Sequence, residues 1–201
     1  MAPSLQLRDL MGRIALAVLV LGSTSACESG PAITPAITPG TPEDPREVVI
    51  VARDYIFVPP VVDLVPGETV VIQLIDGGLI GHEAVFGPSA VQDAWEAAEA
   101  PLSSAPPGSS PQVSIDPGLG GLRIVVASGE RKDVTWTVPA NAAGDIGGWF
   151  VGCHIPGHWA EGMVVPVRFV GADGVPLRTP ATASGDTLRA ALREGGSAAS
   201  R

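Results

Sequence analysis

One short run, from Gly152 to Met163, constrains the fold of this chain more than any other stretch. It carries a thiol, an imidazole and a thioether at even intervals, at Cys153, His158 and Met163. Pro156 and the glycines that follow it bend the run into a loop, so the three side chains are able to converge on one point. A compatible fold must bring any further ligand to that point from elsewhere in the chain.

The donor set of this loop favours copper over zinc. A thioether is a poor zinc ligand, whereas two histidines, one cysteine and a weak axial methionine are typical of electron-transfer copper. The chain has three histidines, His82, His154 and His158. His154 follows Cys153 directly, and neighbours on a strand point to opposite faces. We therefore predict that His82, beside a strongly apolar strand, completes the metal set of His82, Cys153, His158 and Met163.

Three stretches resemble the cupredoxins, the blue copper proteins: Tyr55 to Val71, the glycine-rich approach to His82, and the Cys-x4-His-x4-Met loop. Together they span roughly residues 47 to 170, and the loop spacing is most similar to the rusticyanin and sulfocyanin branch. The resemblance implies an exported mononuclear protein that holds one type 1 copper ion. It also implies that the protein carries single electrons between redox partners by Cu(I)/Cu(II) cycling and is not an enzyme.

The resemblance further implies roles for residues beside the ligands. The exposed edge of the loop histidine, His158, would be the electron port, in an apolar patch with Pro156 and Trp159. Many cupredoxins place an asparagine after the first histidine, where its amide bonds across to the cysteine loop. Here that residue is Glu83, and an ionised carboxylate accepts hydrogen bonds but cannot donate one. The partners would be membrane-associated redox proteins, and the protein itself a monomer.

Two other functions stay open from the residues alone. His82, Cys153 and His158 could hold zinc with an open fourth position for water, as in a zinc hydrolase, although Met163 counts against this. The protein could instead be a copper carrier that never cycles. Such carriers usually have Met- and His-rich segments, whereas this chain has three Met and three His. Each ligand also has an ordinary structural explanation, as a buried thiol, a hydrogen-bonded histidine or a core methionine.

Short apolar runs separated by Pro and Gly predict an all-β fold. The predicted strands are residues 48–53, 61–65, 68–75, 81–86, 122–127, 133–138, 147–153 and 163–170. We predict a cupredoxin-like Greek-key antiparallel β-sandwich of about eight strands with one short helical insertion. Trp149, Val151 and Cys153 alternate along one strand, and we expect their shared face to point inward.

The predicted insertion covers residues 87–121. Apolar residues at helical spacing predict an amphipathic helix over Ala90 to Ala100, with Ser89 and Gln92 as a capping box. One hypothesis is that this helix only covers a sheet edge. The other is that the insertion shields the copper end of the sandwich and tunes its reduction potential.

Both ends of the chain are predicted to lie outside the sandwich. Residues 1–26 have the basic start, apolar run and small residues of an export leader, and Cys27 resembles the lipidated residue of a bacterial lipoprotein signal. Proline-rich residues 27–46 predict a tether, residues 47–172 the cupredoxin domain, and residues 173–201 a flexible tail. These features predict a periplasmic or extracytoplasmic protein anchored to the outer face of the bacterial cell membrane. Plain secretion and an uncleaved anchor are the alternatives.

The net charge narrows the possible partners, and the positions of the two cysteines bear on disulfide formation. The formal net charge is -9 at pH 7, which argues against nucleic-acid binding. An acidic surface either steers basic redox partners at low salt or simply keeps the protein soluble. The two cysteines, Cys27 and Cys153, have separate predicted uses, so no disulfide is expected.

Overall fold

Apolar runs interrupted by turns form nine strands and one α-helix within residues 35–104 and 113–177, the part of the chain that the computed structural model describes. In chain order these elements are β1 (Arg46–Arg53), β2 (Ile56–Val58), β3 (Val62–Leu64), β4 (Thr69–Asp76), β5 (His82–Pro88), α1 (Ser89–Glu99), β6 (Leu122–Val126), β7 (Arg131–Thr137), β8 (Trp149–Gly152) and β9 (Val164–Phe169). Short 3-10 helices lie at Ala100–Ser104, Pro117–Leu119 and Ala142–Gly144.

The strands form two sheets, with the orders β2-β1-β4-β7 and β3-β9-β8-β5-β6. β1 runs parallel to β4, and β3 runs parallel to β9, whereas the other pairs are antiparallel. The predicted all-β sandwich is confirmed, but its sheets are mixed rather than purely antiparallel. Each parallel pair joins strands that other elements separate in the chain, and no local turn signal reveals such a pairing.

All eight predicted strands are present, with ends that differ by a few residues. The additional strand is β2, which pairs with β1 across a tight turn. Tyr55, in that turn, has a φ of 65°. Only a few per cent of non-glycine residues adopt this left-handed conformation, and it reverses the chain where the sequence contains no glycine.

The core lies between the two sheets and contains inward-facing residues of both. Ile50 and Leu74 from the first sheet and Phe86 and Val151 from the second are fully buried in one cluster. Trp149, Val151 and Cys153 belong to the same cluster, so the predicted inward face of this strand is confirmed. Residues at intervening positions therefore point to the outer face of the second sheet.

Helix α1 packs on that outer face. Val91 and Trp95 form a second apolar cluster with Val85 of β5, so the predicted amphipathic helix is confirmed. The capping box is wrong, because Pro88 precedes the helix and no side-chain cap bond is made. Gln92 instead donates to the carbonyl oxygens of Val85, Gly87 and Phe150, at 3.1, 3.2 and 3.3 Å. The helix thereby spans β5 and β8 and covers more than a sheet edge.

Segments next to the described boundaries contact the sandwich. Ile37 and Gly40, within the predicted tether, hydrogen-bond to Ala172 and Thr69, and Pro176, within the predicted tail, bridges to Val170. The predicted leader, Cys27 and most of the tail lie outside the described residues. Within the described residues, no helix has both the length and the apolar character needed to cross a membrane.

Candidate metal centre

His82 is the first residue of β5, and its side chain is fully buried. Both carboxylate oxygens of Asp76, at the end of β4, lie 3.1 Å from its Nδ1. Because an ionised carboxylate only accepts, Nδ1 is the donor in this contact, and Nε2 lies 3.8 Å from Asp54 Oδ1, beyond hydrogen-bond distance. Nε2 is buried without a hydrogen-bond partner. A histidine that donates one ring N–H to a carboxylate and keeps the other nitrogen unprotonated has the usual arrangement of a metal ligand.

The loop after β8 brings the thiol and the second imidazole into contact. Cys153 Sγ lies 3.3 Å from His158 Nδ1, and both residues are buried. Two backbone bonds of 3.0 Å fix the loop, from the Cys153 amide to the Met163 carbonyl and from the Met163 amide to the His158 carbonyl. Gly157 and Gly162 have φ values of 94° and 87°, which L side chains rarely adopt. The predicted turn residues therefore close this loop.

The ring of His158 lies beside both the ring of His82 and the sulfur of Cys153. The ring centroids of His82 and His158 are 5.1 Å apart, with 53° between the planes. The fourth predicted ligand, Met163, is fully buried and joins the group through its backbone bonds to the loop. On the other side of His158, the Tyr55 ring packs edge-on at 5.3 Å. Tyr55 was not predicted as a site residue, since its position in the β1–β2 turn depends on the fold.

His154 points to the opposite face of the sheet, toward α1. Its Nδ1 lies 2.9 Å from Glu96 and its Nε2 lies 2.8 Å from the side-chain oxygen of Gln92. Trp159, which was predicted beside the electron port, stacks on the His154 ring at 4.6 Å. Pro156 is partly exposed in the same loop. The described side-chain contacts of the third histidine are thus with the helix and Trp159 rather than with the other predicted ligands.

Glu83 makes the contact across to the cysteine loop as an acceptor. Its Oε1 accepts the backbone N–H of His154 at 2.9 Å, and its Oε2 accepts from Arg123 Nε at 2.6 Å. Arg123 also donates to Glu99 at 2.5 Å and lies over the Trp95 ring at 4.3 Å. Sequence reasoning missed Arg123 and Glu99, although an arginine within an apolar strand is a signal that a buried acid lies nearby.

Burial has opposite effects on proton binding at the two loop ligands. Desolvation raises the pKa of the Cys153 thiol to about 12. Desolvation, and after it the neighbouring His82, lowers the pKa of His158 below its ordinary value. At neutral pH the imidazole is therefore ready to bind a cation, whereas the thiol loses its proton only when a cation replaces it.

These residues fit a soft metal ion. Metal–nitrogen bonds of about 2.0 Å and metal–sulfur bonds of about 2.3 Å at a tetrahedral angle place nitrogen and sulfur about 3.5 Å apart and two imidazole centroids about 5 Å apart. The corresponding distances here are 3.3 and 5.1 Å. As they stand, no three His, Cys, Asp or Glu side chains in residues 35–104 and 113–177 form a closed metal group. The unpartnered Nε2 of His82 and the buried thioether of Met163 are the donors that would add to the Cys153–His158 pair.

The described residues form a two-sheet sandwich with a histidine at the start of one strand and a Cys-His-Met loop after its neighbour, as the predicted resemblance implies. The predicted resemblance is confirmed at the level of the fold.

Solved structures similar to this chain include auracyanin A of Chloroflexus aurantiacus, a "blue" copper protein, at 21% identity over 61% of this chain and 97% of that one, with a TM-score of 0.46. Auracyanin B is 21% identical over 70% and 100% of the two chains, with a TM-score of 0.48. An azurin of Methylomonas sp. strain J is 18% identical over 63% and 98%, with a TM-score of 0.45. No protein-family model and no curated protein matches the sequence.

Proposed function

We propose that this is an exported mononuclear blue copper protein that transfers single electrons between redox partners and is not an enzyme. One observation carries the proposal, the buried contact of Cys153 Sγ with His158 Nδ1 at 3.3 Å beside the ring of His82. His82, Cys153, His158 and Met163 would hold one type 1 copper ion. When bound, the ion would supply one-electron Cu(I)/Cu(II) chemistry.

The residues of this chain would hold the ligands in one geometry through both oxidation states. Asp76 fixes the ring of His82 from β4, and the backbone bonds among Cys153, His158 and Met163 fix the loop. Burial of all four ligands excludes water from the site. Because little rearrangement is possible, an electron would enter and leave with a small reorganisation of the protein.

We place the electron port at the loop histidine. His158 is buried beneath the Tyr55 ring, which is 42% exposed. Leu79 and Ile80 are 87% and 43% exposed, and the Leu79 amide donates to Asp54, next to Tyr55. This port patch is defined as Tyr55, Leu79 and Ile80; Tyr55 contacts His158, and Leu79 is bonded to the residue before Tyr55. It would admit an apolar partner surface close to the ligands, with Pro156 at the loop edge, whereas Trp159 belongs to the His154 side.

The absorption and electron spin resonance spectra of the Cu(II)-loaded protein test the proposal. A type 1 site gives an intense visible thiolate-to-copper band, which Cys153→Ser should abolish. The matched control is Cys27→Ser, which removes the other cysteine and should leave the band unchanged. A colourless copper-loaded wild type would refute the assignment. Tight zinc binding without colour would favour the hydrolase, and bound Cu(I) that does not reoxidise reversibly would favour the carrier.

The location and organisation of the chain are part of the same proposal. Residues 1–26 would direct export, Cys27 would carry the lipid, and the proline-rich segment would connect the lipid to the cupredoxin domain at the outer face of the membrane. The partners would be membrane-associated redox proteins with basic surfaces, and the domain would act as a monomer. Fractionation of cells that express Cys27→Ser tests the anchor, since this variant should leave the membrane fraction. The closer similarity to rusticyanin and sulfocyanin remains a prediction.

A further inference from the structure

A buried charge cluster lies directly behind the proposed copper ligands, on the outer face of the second sheet. It consists of Glu83 on β5, Arg123 on β6 and Glu99 at the end of α1. The guanidinium donates to Glu83 at 2.6 Å and to Glu99 at 2.5 Å. The side chains of Glu83 and Glu99 are 0% and 2% exposed, and that of Arg123 is 26% exposed. The Trp95 ring covers the guanidinium at 4.3 Å, so the cluster is largely desolvated.

This cluster reaches the ligand loop through one hydrogen bond. The second oxygen of Glu83 accepts the backbone N–H of His154 at 2.9 Å, and His154 is bonded covalently to Cys153. The His154 side chain is also held by α1, through Gln92 and Glu96. Both the backbone and the side chain next to the thiolate ligand are therefore attached to groups that the helix positions.

The cluster contains two acids and one base. Burial, and after it the charge of Glu83, raises the pKa of Glu99 to about 7, against the attraction of Arg123. The other titratable groups near this face are Glu96 on α1 and His154 after β8, which bind each other.

We propose that Glu99 is a positioning residue for the copper site, and that its charge is linked to the oxidation state of that site. It acts through Arg123 and Glu83 on the amide of His154, one peptide bond from Cys153. The inference rests on the proposed function. The oxidised site carries one more positive charge than the reduced site, so the Glu99 carboxylate stabilises the oxidised form. When a donor protein supplies an electron, Glu99 takes up a proton from water; when an acceptor protein removes the electron, Glu99 returns the proton to water.

The first test uses the metal-free protein and needs no copper. The backbone amide of His154 is followed by nuclear magnetic resonance from about pH 5 to about pH 9. We expect its chemical shift to follow a titration step near pH 7 that is lost in Glu99→Gln. Asp93→Asn, which removes an exposed carboxylate from the same helix, is the matched control and should keep the step. A step that persists unchanged in Glu99→Gln overturns the proposal.

The second test follows the reduction potential of the copper-loaded protein. For the wild type, the ratio of reduced to oxidised protein at a fixed ambient potential should fall about tenfold from about pH 6 to about pH 8, because the ionised carboxylate favours the more positive oxidised site. In Glu99→Gln this ratio should not change with pH, and it should equal the ratio that the wild type shows at low pH. Glu99→Asp keeps the carboxylate, so its ratio should still fall as the pH rises. This variant tests the proposal if Glu99→Gln does not fold.

The outcomes separate this inference from the proposed function. A blue wild-type protein with a potential that does not change between about pH 6 and about pH 8 overturns the role of Glu99 and leaves the copper assignment intact. A colourless copper-loaded protein overturns both, even if the His154 amide responds to Glu99 in the metal-free protein.

Discussion

Binding of copper should release the proton of Cys153, and the burial of this thiol determines how steeply the affinity depends on pH. Desolvation raises the pKa of the thiol from an ordinary value of 9.0 to about 12. At about 1.4 kcal/mol per pH unit, this shift corresponds to about 4 kcal/mol. Copper must overcome that free energy when it takes the place of the proton.

The expected dependence follows from the fraction of thiolate. A thiol with a pKa of about 12 gains thiolate tenfold per pH unit, so the affinity for Cu(I) should rise about 100-fold between about pH 8.5 and about pH 10.5. A solvated thiol with a pKa of about 9 gains only about fourfold over the same range, because it is mostly ionised above pH 9. His158, with a lowered pKa, is already neutral there and adds no proton.

Competition with a coloured Cu(I) chelator, corrected for the chelator's own ionisation, measures this affinity. The Cys27→Ser background ensures that only one thiol is present. Copper added to the weakly buffered protein should release one proton per ion at about pH 9, as recorded by pH-stat titration. A rise in affinity that levels off near pH 9 would refute the argument, because it would show that water solvates Cys153. An unchanged slope in Cys153→Ser would show that the proton comes from another group.

Three further predictions concern the axial ligand, the port and the folded state. Met163→Gln should keep the blue colour and lower the reduction potential, because an amide oxygen is a harder donor that favours Cu(II); a redox titration that shows a higher potential would contradict this. Leu79→Asp should leave the spectrum unchanged but slow electron exchange between copies of the protein at least about tenfold, measured by line broadening, and an unchanged rate would exclude the port patch. Arg46→Met leaves the buried Glu68 carboxylate without its guanidinium partner and should lower the free energy of unfolding by about 3–5 kcal/mol in urea. Arg131→Met, which breaks a half-exposed pair, should cost less than about 1 kcal/mol, and equal losses would contradict the burial argument.

The strand pattern was predictable because Pro and Gly mark the turns and because side chains alternate along a strand. The inward face of Trp149, Val151 and Cys153 followed from that alternation. The parallel pairings of β1 with β4 and of β3 with β9 were not predictable, since they join strands separated in the chain and depend on the closure of the whole sandwich. The three-residue β2 is too short to show a period.

The thiol, imidazole and thioether donors were predicted from the sequence because they are close together in one loop, and His82 was predicted by elimination among three histidines. The groups that support them could not be found in this way. Asp76 precedes His82 by six residues, but Arg123 is 40 residues from Glu83 and 24 from Glu99. Gln92 was misread as a helix cap because its true partners are carbonyl groups of the sheet. Contacts of this kind are set by tertiary packing and leave no local pattern.

The two faces of the second sheet connect the insertion to the candidate metal centre. Because side chains alternate, His82 and Cys153 point into the sandwich, while Glu83 and His154 point to α1. Each of these two proposed ligands is thus one peptide bond from a residue that the helix or its charge cluster holds. A change in α1 is therefore able to act on the ligands without contact with the metal pocket. This is the physical route by which the insertion would tune the potential, and it requires Glu99 rather than mere coverage of the sheet.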